Sequence, residues 1–144
     1  MRVKIKKIRP DIQLPEYHTE DSAGLDLAAA IDEPIVLKPL ERKLVPTGFA
    51  IEVPRGYEVQ IRARSGMSLK HGITTANGVG TIDADFRGEI CAILVNLSNT
   101  DFTIEPGMRV AQMVLSKYET IEWSEATELG ETKRGKGGYG STGH

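Results

Sequence analysis

A disulfide framework is excluded at once, because the chain carries one cysteine, Cys91, set in an apolar run. Such sparing use of cysteine fits a reducing compartment. Three histidines, His18, His71 and His144, share no metal-ligand spacing with it or with one another, which argues against a zinc site. No Gly-x-Ser-x-Gly elbow accompanies the serines, so a serine nucleophile is not expected. Charge of one sign is also lacking: 18 basic against 20 acidic residues leave a net −2 with the signs interspersed. No broad basic surface therefore recommends a nucleic acid as partner. The apolar runs fall far short of the roughly 20 residues that a helical membrane span needs. The basic start, MRVKIKKIRP, alternates instead of leading into a continuous apolar stretch, unlike a secretory leader. The expectation is a soluble, cytoplasmic protein without nucleic-acid or membrane partners.

What is present is a rhythm of short apolar runs and turns. A length of 144 residues suits one domain with a real core. Val3, Ile5 and Ile8 alternate with lysines and arginine, as on an edge strand. After a polar loop over 14–21, strand-like runs recur at 25–28, 35–37, 42–45, 49–53, 57–63, 90–96, 102–104 and 110–115. Turn signals such as Pro46-Thr47-Gly48, Pro54-Arg55-Gly56 and Glu105-Pro106-Gly107 separate them. Many short strands at regular spacing predict an all-β sandwich, jelly roll or barrel. One short helix is expected near 66–71, with Ser65 as its cap and Gly72 at its end. Residues 119–131 are acidic, with Trp123 the one large anchor, and residues 132–144 are polar and glycine-rich. By composition alone the last stretch reads as a disordered tail.

Five polar sites interrupt the rhythm. In NGVGTIDADFRGEIC (77–91) a glycine turn runs into Asp83, Asp85, Arg87 and Glu89. On a strand these four share one face, either as a solvated hairpin or as carboxylates beside a ligand. Arg64-Ser65-Gly66 ends a strand and opens the helix, which makes either an anion site or an ordinary cap. Asp26 lies inside the apolar run Leu25–Ala28 and needs a partner, either an arginine or a hydrated metal ion. Arg109 and Gln112 are three apart, so a regular strand turns them to opposite faces unless it bends. In the tail, GETKRGKG (130–137) nearly matches a P-loop. It lacks the flanking strand and helix, and Gly137 stands where Ser or Thr is required. Its glycines, with Arg134 and Tyr139, could still close over phosphates as a lid.

Taken in order, these segments resemble the five motifs of the trimeric dUTPases. They are SAGLDLAAA (22–30), RSGMSLKHG (64–72), NGVGTIDADFRGE (77–89), GMRVAQM (107–113) and RGKGGYGSTG (134–143). The resemblance implies a jelly-roll domain over 1–131 and a flexible arm over 132–144 that closes on the active site. It implies hydrolysis of dUTP to dUMP and pyrophosphate, which keeps uracil out of DNA and supplies dUMP for dTMP synthesis. It further implies Mg2+ as cofactor and a homotrimer whose sites are shared between subunits, each arm coming from a neighbour.

Carried over by position, Asp83 is the general base, and Asp26 holds magnesium through water. Arg64, Ser65 and Gly66 grip the phosphates with Gln112 and Arg134. Asn77, Gly80, Thr81 and Ile82 read the uracil edge. Phe86 lies against the sugar and excludes ribose. Tyr139 stacks on the base, with Gly140 and Ser141 beside it in the substrate-binding arm. Two positions depart from the family's habit: Phe86 replaces a common tyrosine, and Tyr139 replaces a common phenylalanine. Lys136, at a variable arm position, adds a possible phosphate contact. The competing readings are the related dCTP deaminase, a non-catalytic nucleotide-binding module and a structural jelly-roll subunit. A deaminase needs an acid–base group at the cytosine amino position, whereas residues 83–89 look like the hydrolase motif. Ammonia release from dCTP separates the two enzymes, and turnover separates both from the remaining readings.

Overall fold

Period-two patterning governs the molecule. Along Cys91–Asn96, Ala92, Leu94 and Asn96 are buried while Ile93 faces out, as successive strand residues must. The computed structural model describes residues 1–140. Within them the elements in order are β1 (Lys4–Lys7), β2 (Leu25–Ala28), β3 (Ile35–Leu37), β4 (Arg42–Pro46), β5 (Phe49–Glu52), β6 (Tyr57–Arg62), α1 (Ser65–His71), β7 (Ile73–Thr75), β8 (Gly80–Ile82), β9 (Cys91–Asn96), β10 (Phe102–Ile104) and β11 (Arg109–Lys117). Strands β2, β3 and β10 keep the bounds read from sequence. Strand β7 escapes the sequence reading, because Ile73-Thr74-Thr75 carries a single apolar residue and so no alternation.

Every ladder is antiparallel. A four-stranded sheet runs β2-β11-β6-β8 and a three-stranded sheet β4-β9-β7, with the pairs β1-β5 and β3-β10 completing the roll. The chain passes from β7 in one sheet directly to β8 in the other. This is a jelly-roll β fold, as expected. Between the sheets lies one apolar cluster including Leu27, Phe49, Ile61, Ile73, Leu94 and Val110. Each such fully buried side chain stabilises by about 1.5–3 kcal/mol.

Two sequence expectations need correction. Strand β8 ends at Ile82, and the chain then turns, with the Phe86 amide donating to the Asp83 carbonyl at 3.1 Å. Asp83, Asp85, Arg87 and Glu89 therefore do not line one face of a strand. Ser65 does not cap α1 either. Arg64 occupies the N-cap with extended dihedrals (φ −92°, ψ 134°) and no capping side-chain bond. Gly72 does terminate the helix, at φ 67°, and its amide bonds to the Ser68 carbonyl.

One backbone position carries visible strain. Leu40 adopts φ 62° in the turn after Pro39, a place that type II geometry reserves for glycine. Its side chain is 74% exposed, so little packing is at stake. Relief of left-handed strain is worth about 1–2 kcal/mol. The extra freedom that glycine gives the unfolded chain takes back about 0.5–1 kcal/mol. Leu40→Gly is therefore expected to stabilise the fold by roughly 0.5–1 kcal/mol. Urea unfolding of both forms checks this, through a raised midpoint at unchanged slope.

Candidate active site

The four-stranded sheet lays four of the sequence clusters side by side. Asp26 on β2 pairs in register with Gln112 on β11, and Gln112 in turn pairs with Arg62 on β6. Strand β6 leads directly into Arg64, Ser65 and Gly66. On its far edge β8 pairs with β6, placing Gly80 opposite Ile61 and Thr81 opposite Gln60. Segments distant in sequence thus become neighbours by strand pairing alone.

A β-bulge then places two residues that a regular strand would separate. The register of β11 slips between Arg109 and Ala111, so Arg109 lies opposite Ala28 and Gln112 opposite Asp26. Ala28 and Asp26 are two apart on one face of β2, and the bulge brings Arg109 and Gln112 to that same face. The strand does bend. The side chain of Asp26 is only 16% exposed. Its Oδ1 accepts from Arg64 Nε at 3.0 Å and its Oδ2 from Arg109 Nη1 at 3.1 Å. Arg64 Nη1 also donates to the Arg109 carbonyl, at 3.2 Å. His18 Nε2 sits 3.1 Å from Asp26 Oδ2 and 2.7 Å from Arg109 Nη1. Two guanidiniums around one carboxylate leave a net positive, oriented cluster suited to a polyanion. Nothing in the spacing of the sequence marks His18, because only the path of the 14–21 loop brings it to β2.

At the start of α1 the missing side-chain cap leaves the helix amides without that partner. Ser65 and Gly66 are exposed, and a Cβ added at Gly66 meets nothing within 4 Å. An anion has open access here beside Arg64. Gln112 is held close by, its Nε2 donating to the Ala63 carbonyl at 2.9 Å. A Cβ at Gly24 would come within 2.3 Å of Gln112 Oε1, so glycine there makes room for this amide.

The turn before β8 is closed by the Gly78 amide on the Thr75 carbonyl at 3.1 Å, with Gly78 at φ 71°. A Cβ at the buried Gly80 would meet Asn77 Nδ2 at 3.1 Å and Ile61 Cβ at 3.2 Å. Glycine at position 80 therefore lets the Asn77 amide lie close over the hairpin. Thr81 is exposed and Ile82 half-buried. Beyond them Asp83 stands exposed at the head of its turn. Arg87 Nη1 fastens that turn by donating to the carbonyls of Ala84 (2.7 Å) and Phe86 (2.9 Å). Phe86 lies 42% exposed on the same loop. Nearby Cys91 is no rival nucleophile, because burial, reinforced by the Glu89 carboxylate, pushes its thiol pKa up.

Not every candidate is brought together within one chain. Asp26 and Arg109 line a cavity of about 620 Å³ beneath the 9–18 loop. Asp83 lines a separate open cleft of about 690 Å³ with Glu52, Arg55, Asp85, Arg87 and Tyr118. Arg134 donates from Nε to the Gly137 carbonyl inside the arm itself, at 2.7 Å. Tyr139, at φ 52°, is fully exposed, and Gly140 follows at φ 89°. Ser141 lies outside the described residues. Among the described residues no three His, Cys, Asp or Glu side chains converge as a metal cage. A lone carboxylate facing two arginines does not hold a bare divalent ion. It fits a water-shelled ion arriving on a phosphate ligand. No helix of the described residues is long and apolar enough to cross a membrane.

Comparison with known proteins identifies the family. The dUTPase family profile matches residues 10–143. The deoxyuridine 5'-triphosphate nucleotidohydrolase of Rickettsia felis is 59% identical over 143 residues, covering 99% of this chain and 97% of that protein. That of Rickettsia prowazekii is 56% identical over 144 residues, with the same coverage. Among solved structures, the Staphylococcus bacteriophage 80alpha dUTPase with dUpNHpp superposes with a TM-score of 0.89 at 26% identity, covering 99% of each chain. The dUTPase from phage phi11 of S. aureus shares the fold, at a TM-score of 0.81 and 22% identity. A profile match over nearly the full length, together with relatives this similar, shows that the chain belongs to the dUTPase family and is a dUTP-hydrolysing enzyme.

Proposed function

We propose that dUTP is hydrolysed here by attack of water on the α-phosphorus, with Asp83 as general base. Asp83 takes the proton of the water as its oxygen bonds to phosphorus, the bond between the α-phosphorus and the bridging oxygen breaks, and pyrophosphate leaves with dUMP remaining. The observation that carries the reading is the strand order β2-β11-β6-β8, which aligns the Asp26 cluster, Gln112, the Arg64-Ser65-Gly66 corner and the Asp83 hairpin along one sheet. Arg64, Ser65, Gly66 and Gln112 bind the phosphate chain, and Arg134 joins them from the arm. Positioning and charge neutralisation are most of what phosphoryl chemistry asks of a protein. Asn77, Gly80, Thr81 and Ile82 read the uracil edge, Phe86 lies against the sugar, and Tyr139 stacks on the base.

Asp26 would hold Mg2+ through the water shell of the ion, which when bound would supply neutralisation of phosphate charge. The assembly is a homotrimer with shared sites. Three features support it: the split clefts, the extended tail with Trp123 86% exposed, and the outward apolar pair Leu44–Ile93 on β4 and β9. The arm, residues 132–144, closes over a neighbour's site. The product supplies dUMP for dTMP synthesis, and removal of dUTP keeps uracil from DNA.

Incubation with dUTP, dCTP, dTTP and UTP, each with magnesium or with EDTA, tests the reading. Magnesium-dependent dUMP and pyrophosphate from dUTP are expected. Ammonia from dCTP, or no turnover of any nucleotide by folded protein, contradicts it. Gly24→Ala is expected to act on the substrate end of Gln112 and not on the fold, because the atom displaced is the movable tip of a side chain. Loss of one hydrogen bond to a charged group corresponds to roughly a ten- to hundred-fold fall in kcat/KM. Steady-state kinetics beside a melting curve check that split.

A further inference from the structure

Phe86 and Gly88 make a contact that neither the backbone nor the core requires. Gly88 is not among the glycines of positive φ, so no left-handed backbone calls for glycine there. What excludes a side chain is space. A Cβ built on Gly88 would stand 2.5 Å from Phe86 Cζ, 3.0 Å from Cε2 and 3.2 Å from Cε1. All three nearest atoms belong to the ring, and all three distances fall inside van der Waals contact between carbons. The ring of Phe86 therefore lies directly over the Gly88 backbone.

The loop itself is pinned on both sides of this contact. The Phe86 amide donates to the Asp83 carbonyl at 3.1 Å, and Arg87 Nη1 donates to the carbonyls of Ala84 and Phe86 at 2.7 and 2.9 Å. Glu89 anchors the far end by accepting the Gly48 amide at 2.7 Å. A methyl group at position 88 thus meets a fixed backbone and a movable ring, and the ring yields. Phenylalanine has no hydroxyl to tether its tip, so packing alone sets where the ring stands.

We infer that Gly88 is a specificity-determining residue, the seat that holds the Phe86 ring where it closes the sugar pocket to a 2′-hydroxyl. This rests on the proposed sugar-side role of Phe86. Gly88 touches no substrate and acts through the ring as a positioning residue. Its substitution should change which sugar is accepted before it changes whether the protein folds.

The test is kcat/KM for dUTP and UTP in the wild type, Gly88→Ala, Phe86→Ala and the double variant, with a melting curve for each. The UTP-to-dUTP ratio is expected to rise about tenfold in Gly88→Ala, within the range that a small steric change in a pocket can give. It should rise further in Phe86→Ala, with no additional change in the double variant. An unchanged ratio in folded Gly88→Ala overturns the inference, and so does an effect that adds to that of Phe86→Ala. A ratio unmoved by Phe86→Ala removes the sugar-side role and the inference with it. If the wild type hydrolyses no nucleotide, it is the reading of the reaction that fails. Should Gly88→Ala not fold, Phe86→Leu/Gly88→Ala removes the ring edge that the methyl meets. Its folding upholds the seat, and its failure to fold overturns it.

Discussion

Asp83→Asn is expected to keep dUTP binding and to lose most turnover, by roughly a hundred- to ten-thousand-fold, the range a positioned general base supplies. The substitution preserves size and removes only the ability to accept a proton. Asp83 is exposed at the head of a turn closed by backbone bonds and by Arg87, and among the described residues its carboxylate forms no ion pair. Stability should therefore not move. A non-hydrolysable dUTP analogue checks binding by calorimetry, and single-turnover kinetics read the chemical step. Turnover within a few-fold of wild type removes Asp83 from the role of base.

Deletion of residues 132–144 is expected to spare the fold and the proposed trimer and to lower kcat/KM at least about a hundred-fold, the scale on which lost positioning and water exclusion are felt. The described part of the arm, residues 132–140, contains no strand or helix and contributes nothing to the apolar cluster. Arg134 and Tyr139 are presented outward, which leaves a charge free for the proposed phosphate contact and a flat surface free for the proposed stacking. Gly135 and Gly140, both at positive φ, let this short segment bend where other residues resist. Light scattering and a melting curve should match the full chain while dUTP hydrolysis collapses. Normal hydrolysis by the truncated protein removes the arm from the site.

Much of this architecture is legible in the residues. Alternation and turn chemistry mark most of the strands, since Pro-Thr-Gly and Glu-Pro-Gly leave little choice of where the chain reverses. The helix and its Gly72 end are also legible, although Arg64 and not Ser65 stands at the N-cap. What could not be read are features produced by pairing between distant strands. The bulge in β11 that turns Arg109 and Gln112 to one face arises against β2, some 80 residues away in sequence. His18 reaches Asp26 through a loop without periodicity. The run 83–89 carries a strand-like alternation of charge, yet Arg87 finds better acceptors in the carbonyls of a turn. The arm is the reverse case: its composition signals disorder, and only the order of five motifs suggests the task proposed for it.

Hydrolysis of dUTP in water enriched in heavy oxygen tests the central claim most directly, with both products analysed by mass spectrometry. Attack on the α-phosphorus places the label in dUMP and leaves pyrophosphate unlabelled. Label in pyrophosphate would mean attack at the β-phosphorus and would contradict the account.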